Sequence, residues 1–337
     1  MKSYIALGVL VVVGAVGMIA IHRPEARAPI TQIKQEVVRP ITITFVGDMM
    51  LDRGVKRSVE KNMSGDYGAL FAHAGYLADT DITFGNLEGT VTDEFSKRTG
   101  SRFSFRMDPA VLPALKAAGF DIVSFANNHV GDYSMKGFTK TIENLAAHSL
   151  LYTGAGENYT DATTPRVIEV RGMKIGFLGA TDVGPEWLAA TDTKPGILLA
   201  NDPKLPEIIA AAKAQVDVLV VSFHWGNEYS PATARQEKIA HSVIDAGADV
   251  VVGHHPHVME EVEEYNSKLI YYSLGNFIFD QYFSPHTMRG MVAMVSIDPQ
   301  TKAITHAEQV SPLSKQFVLQ SLVPFDTSML ITKTFTP

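Results

Sequence analysis

The chain has 337 residues, 46% of them hydrophobic and 19% charged, an ordinary globular composition that suffices for one large domain or two small ones. A formal net charge of −7 argues against nucleic acid as a partner, because binding a phosphate backbone normally takes a basic face. There is no cysteine, so disulfides and thiolate metal ligands are both excluded, a usage that suits an extracytoplasmic protein.

Residues 4–21 are uncharged and mostly Val, Ile, Leu, Ala and Gly, with Lys2 before them and His22 and Arg23 after. That length lies at the short end of what spans a bilayer and slightly exceeds a signal-peptide core. Ala26-Arg27-Ala28 resembles a cleavage site, but Pro29 would follow the cut, so residues 1–22 are expected to be an uncleaved single-pass anchor. Cleavage would instead give a secreted or periplasmic protein. Lys2 and the short tail before it place the globular part outside the cell, although Arg23 and Arg27 run against the usual charge bias. Residues 23–40, with Pro24, Pro29 and Pro40, read as a tether. The folded domain is expected over 41–300, with 301–337 as an extension of it.

Ile41 to Val46 reads as the first strand. Asp108-Pro109 ahead of Val111, Leu112 and Leu115 predicts a helix with an N-cap and a first-turn proline, stopping at Gly119. Asp121 to Ala126 and Asp217 to Phe223 follow as apolar strands, then a helix from Pro231 to Ala246 and a short strand from Asp249 to Val252. Leu269 to Leu274, Met291 to Ile297 and Ala303 to Val310 lie close together and suggest an antiparallel finish or second sheet. Asp93 to Ser104 and the region from Trp187 to Gly196 read as loops. The fold class is α/β (α+β), a largely parallel or mixed sheet covered by helices.

Five polar clusters follow directly on apolar runs of this kind: Gly47-Asp48, Asn86-Leu87-Glu88, Asn127-Asn128-His129, His224-Trp225-Gly226 and His254-His255-Pro256-His257. The carboxyl ends of strands in an α/β sheet open into one crevice, so these groups would converge there. They offer carboxylates, amides and imidazoles, the ligands that divalent Zn, Mn or Fe select. Asp48 is a candidate ligand, although Asp after Gly is also a common turn former. Glu88 offers a second carboxylate able to bridge two ions, or else a solvated loop glutamate. Two amides and an imidazole after an apolar strand are expensive to bury unpaired, so one amide reads as a ligand and His129 as a general acid. Pro256 fixes the backbone between His255 and His257, which read as ligands, and His224 is the next imidazole. Asn127 and Asn276 are expected to line the crevice. Arg106, with Arg53, Arg102 and Arg289, is a candidate clamp for an anion. One or two ions would generate hydroxide near neutral pH, and ester or amide hydrolysis is the chemistry such a site supports best.

Val46-Gly47-Asp48, Asn86-Leu87-Glu88, Asn127-Asn128-His129, Ser222-Phe223-His224-Trp225-Gly226, His255-Pro256-His257 and Tyr272-Ser273-Leu274-Gly275-Asn276-Phe277 together resemble the CapA family of capsule-biosynthesis proteins, within the calcineurin-like metallophosphoesterases. The resemblance runs from about Ile41 to Ile297. It implies a metallophosphatase-like β-sandwich flanked by helices, a membrane-tethered domain facing outward, and work on poly-γ-glutamate alongside other membrane subunits of a capsule complex. It further implies Asn128 as a ligand and His129 as the acid. The superfamily's first motif is Asp-x-His, where this chain has Asp48-Met49-Met50, and its bridging aspartate is matched only by Glu88. Two other readings stay open: a stand-alone extracytoplasmic phosphoesterase, and a non-catalytic polymer-binding subunit that keeps the fold.

Overall fold

The computed structural model describes residues 39–98 and 103–322, and the backbone of 331–335. Two β-sheets face each other across an apolar seam. The first runs in the order Ile331–Phe335, Ile304–Pro312, Arg289–Ile297, Ile41–Met49, Ile82–Leu87, Ile122–Ser124, Leu151–Thr153, and the short strand Asn276–Ile278 also pairs with Ile41–Met49. The second runs Val262–Tyr265, Lys268–Tyr271, Val250–His254, Val218–His224, Met173–Thr181, Arg166–Val170. Strands around each site-bearing end are parallel, while Arg289–Ile297 and Ile304–Pro312 close the first sheet antiparallel.

The near-continuous apolar runs have a simple cause: both faces of each sheet are covered. Ile41, Ile43 and Phe45 from one sheet meet Ile175, Phe177, Val218, Val220, Val250 and Val252 from the other in the seam. Phe84 stacks on Phe177 across it, with ring centres 5.7 Å apart. The alternate residues Leu219, Val221, Phe223 and Val251 face outward, onto Ile209, Ala240 and Val243 of the helices Leu205–Lys213 and Ala234–Asp245. On the outer face of the first sheet, Val55, Val59, Leu112, Leu115, Phe138 and Leu145 seat the helices Arg53–Asn62, Val111–Ala118 and Ser134–Ala147. Each such side chain, fully buried, contributes about 1.5–3 kcal/mol relative to exposure.

Two helix starts differ from the sequence expectation. Asp108 accepts a hydrogen bond from the Ala110 amide at 3.0 Å, closing a turn ahead of the helix, which begins only at Val111. Pro231 lies before the second helix, whose start is set by a reciprocal capping box of Thr233 and Gln236. Gly119 ends its helix as expected, with φ 106°.

Val38–Pro337 forms one compact unit, and Ile304–Pro312 is an integral strand of its first sheet. Among the described residues no helix is long and apolar enough to cross a membrane. The expected anchor within residues 1–22, most of the tether and Arg102 lie outside the described residues.

Candidate metal centre

The strand ends do converge. Asp48, one residue from the end of Ile41–Met49, is in register with Asn86 on one side and Asn276 on the other. His224 and His254 are the last residues of adjacent parallel strands and pair in register. Two glycines permit the close approach behind them. A Cβ on Gly47 would stand 1.9 Å from the Gly275 carbonyl oxygen, and one on Gly253 would stand 1.9 Å from that of Tyr272. Asn276 opens a short strand instead of closing one, which is how it comes to face Asp48 in register.

Asp48 and Glu88 are both fully buried. Asn86 sits between them, its side-chain amide donating to Asp48 Oδ1 at 2.8 Å and to Glu88 Oε2 at 3.3 Å. Asn86 and Glu88 share one face because they are two residues apart at the end of a strand. His257 completes the group: Nδ1 lies 3.2 Å from Asp48 Oδ2 and Nε2 3.6 Å from Glu88 Oε1. A second convergence joins Asn128, His224 and His255. His224 Nε2 lies 2.9 Å from Asn128 Oδ1 and 3.1 Å from His255 Nδ1.

The electrostatics divide these groups sharply. Burial would raise the Asp48 carboxyl, but the imidazoles of His254 and His257, 3.4 and 3.2 Å from its oxygens, hold it well below its ordinary value. Burial, reinforced by the charges of Asp48, Glu228 and Asp132, pushes Glu88 well above its own. Burial would lower His257, yet Glu88 and Asp48 raise it to about 9. Burial and neighbouring imidazoles depress His224 well below the ordinary value and His255 to about 3, so both are neutral and present lone pairs.

This donor set fits divalent cations. Glu88 Oε1 is buried and accepts no hydrogen bond, a costly state for a carboxylate oxygen unless a positive charge faces it. Ligand atoms of Asp48, Glu88 and His257 lie within 4.8 Å of one another, as do those of Glu228, His255 and His257. His255 and His257 also hold positive φ, 100° and 59°, either side of Pro256. Such backbone persists where the surroundings fix it, and here it aims both rings inward.

His129 lies on the rim, with Nδ1 2.8 Å from Asp132 Oδ2, its ring against Phe105, and Nε2 3.9 Å from Glu88 Oε1. It borders a cavity of about 420 Å³ that also takes in Arg53, Glu228, Tyr229, His257 and Gln281. Asn127 and Asn276 are fully buried and hold the frame. Asn127 donates to the Leu87 carbonyl at 2.9 Å and accepts from the His129 amide at 3.1 Å. Asn276 donates to Gln281 and Thr287 and meets His257 Nδ1 at 3.0 Å. Arg106 stands elsewhere, its guanidinium 4.0 Å from the Phe95 ring centre. Arg53 lines the cavity, ion-paired to Asp280, and Arg289 contacts His286. Met50 packs with Phe105 and Phe279, whose rings lie against His129 and His257. Sequence reasoning missed Asn86, His254, Glu228 and Asp132 as site residues. The first two stood inside recognised clusters, whereas Glu228 arrives on a turn stitched by the Tyr229 amide to the Pro256 carbonyl.

Residues 42–281 match the family described as bacterial capsule synthesis protein PGA_cap. The chain belongs to this family. It is 37% identical over 270 residues to the capsule biosynthesis protein CapA of Bacillus anthracis, covering 77% of this chain and 64% of that protein. It is 34% identical over 245 residues to the PGA biosynthesis protein CapA of Bacillus subtilis (strain 168), covering 72% of this chain and again 64% of the relative. The match thus spans slightly under two thirds of those relatives' own length. Among solved structures, a hypothetical protein from Thermus thermophilus is similar at TM-score 0.50 and 16% identity, over 81% of this chain and 100% of that one, a likeness of fold alone.

Proposed function

We propose that this chain is a membrane-anchored accessory protein in the synthesis, export or attachment of an anionic capsular polymer of the poly-γ-glutamate type, acting through a metal-dependent hydrolase-type site on a metallophosphatase-like fold. The observation that carries the site reading is Glu88 Oε1, buried without a hydrogen bond beside His257. Asp48, Glu88 and His257 would hold one ion, and Asn128, His224 and His255 a second, with Mn, Fe or Zn all compatible with oxygen and imidazole donors. Such ions supply an activated water at neutral pH and charge to stabilise the reacting oxygens.

The protein's own groups do the rest. The Asp132 carboxylate fixes the His129 ring through Nδ1, leaving Nε2 facing the cavity as the atom that passes a proton to a leaving group. Phe105 and Phe279 wall the imidazoles on the apolar side and exclude water there. Residues 4–21 would hold the domain on the outer face of the membrane, beside the other subunits of a capsule assembly.

The test is genetic and biochemical. Deleting the gene should abolish polymer at the cell surface, and His255→Ala should fail to restore it. Unaltered surface polymer in the deletion strain would refute the capsule role. Full rescue by His255→Ala would assign instead a polymer-binding subunit that works without the metal site, a reading that Met50, in the position of an imidazole, favours.

A further inference from the structure

Beside the metal centre lies a second groove of about 670 Å³, bordered by Arg57, Lys315, Tyr282, Phe283, Met288 and Phe317. Three features set it apart. No acidic residue lines it, on a chain whose net charge is −7. Its two cations, Arg57 and Lys315, are exposed, and neither side chain has a hydrogen bond or ion pair among the described residues. Its wall is also the wall of the catalytic cavity, since Tyr282 and Phe283 line both, and they are 73% and 65% exposed.

The helix Arg53–Asn62 extends this continuity. Arg53 lines the catalytic cavity and Arg57, one turn on and on the same face, lines the groove. Arg53 is already paired with Asp280, so the uncommitted positive charge lies in the groove. We propose that this groove is a binding subsite for a flanking stretch of an anionic polymer whose reacting unit occupies the His129 and His257 cavity. Carboxylates along the polymer meet Arg57 and Lys315, and its methylene segments lie on the exposed rings of Tyr282 and Phe283. The inference rests on the polymer reading above and deepens it: the site prefers long chains to short ones.

The test uses the full chain and two probes, a γ-glutamyl dimer and a γ-glutamyl oligomer of about twenty units, with dissociation constants measured at low and moderate salt. The parent should bind the oligomer more tightly. Arg57→Glu with Lys315→Glu should weaken oligomer binding roughly tenfold and flatten its salt dependence, leaving dimer binding and metal content unchanged. Arg57→Gln with Lys315→Gln, with an unshifted melting temperature, should give a smaller loss in the same direction. Unchanged oligomer affinity in both variants would overturn the subsite while leaving the metal-site reading intact. A change in sedimentation in place of affinity would mark the groove as a self-association face and equally overturn it. Failure of the parent to bind either probe would sink the polymer reading itself, and the subsite with it.

Discussion

Glu88 Oε1, sealed from solvent and without a hydrogen bond, faces Nε2 of His257 at 3.6 Å. An oxygen in that position costs stability unless a cation answers it, and Glu88 is accordingly pushed well above its ordinary value. Glu88→Gln should therefore have opposite effects on two properties. Metal content should fall, while the chelator-stripped protein should gain about 1–3 kcal/mol of stability, because a neutral amide is cheaper to desolvate there than a carboxylate. Paired metal analysis and denaturant titration in chelator would check this, and lower stripped stability would contradict it.

His129 touches the cavity but belongs to neither proposed ligand set. His129→Ala is expected to lower turnover by about 10²- to 10⁴-fold with metal content unchanged. Asp132→Asn keeps most of the packing and should cost less, because the ring loses its orienting charge while remaining against Phe105. Loss of metal in either variant would show that the ring serves the ions rather than the proton.

The glycines behind the site predict a purely steric failure. Gly253→Ala puts a methyl carbon 1.9 Å from the Tyr272 carbonyl oxygen, so the strand and the loop must separate. A loss of about 2–4 kcal/mol is expected, at the large end for single substitutions, with metal affinity falling as His254 and His255 shift. Thermal denaturation with and without metal measures both.

Glu260 gives the chain a pH dependence separate from the proposed metal ligands. Its Oε2 accepts from Gln236 at 2.9 Å and its Oε1 is buried without a partner, and burial pushes the carboxyl up to about 7. The folded state thus holds this proton more tightly than the unfolded chain does. Its contribution is fully present below the unfolded value of 4.5 and is lost as pH rises to about 7. Glu260→Gln should remove roughly 1–3 kcal/mol of that decline, read as urea midpoints at pH 5 and 8. An identical slope in the variant would show that other groups set it.

What was legible in the sequence, and what was not, follows from where each signal resides. Val218–His224 is apolar apart from Ser222 and ends in His, so its strand end and the imidazole it delivers could be read directly, whereas His254 closes Val250–His254 inside a run of histidines that draws attention to His255 and His257. Helix starts were less visible, since Asp108 closes a turn in place of capping its helix, and the Thr233 and Gln236 capping box begins the second helix two residues beyond the proline that marks its approach. Glu228 was hidden because it reaches the site through a turn pinned to Pro256, a contact across the chain that no local pattern encodes. Met50, conspicuous as a missing imidazole, proves to be apolar packing for Phe105 and Phe279. Met50→Leu should accordingly leave metal content unchanged and cost less than about 1.5 kcal/mol.

If these strand ends form a metal centre, elemental analysis of the full chain should find one or two equivalents of Mn, Fe or Zn, and its His255→Ala, His257→Ala double variant should lose them. A parent that stays metal-free after reconstitution, or a variant that retains the parent's metal, would contradict that reading.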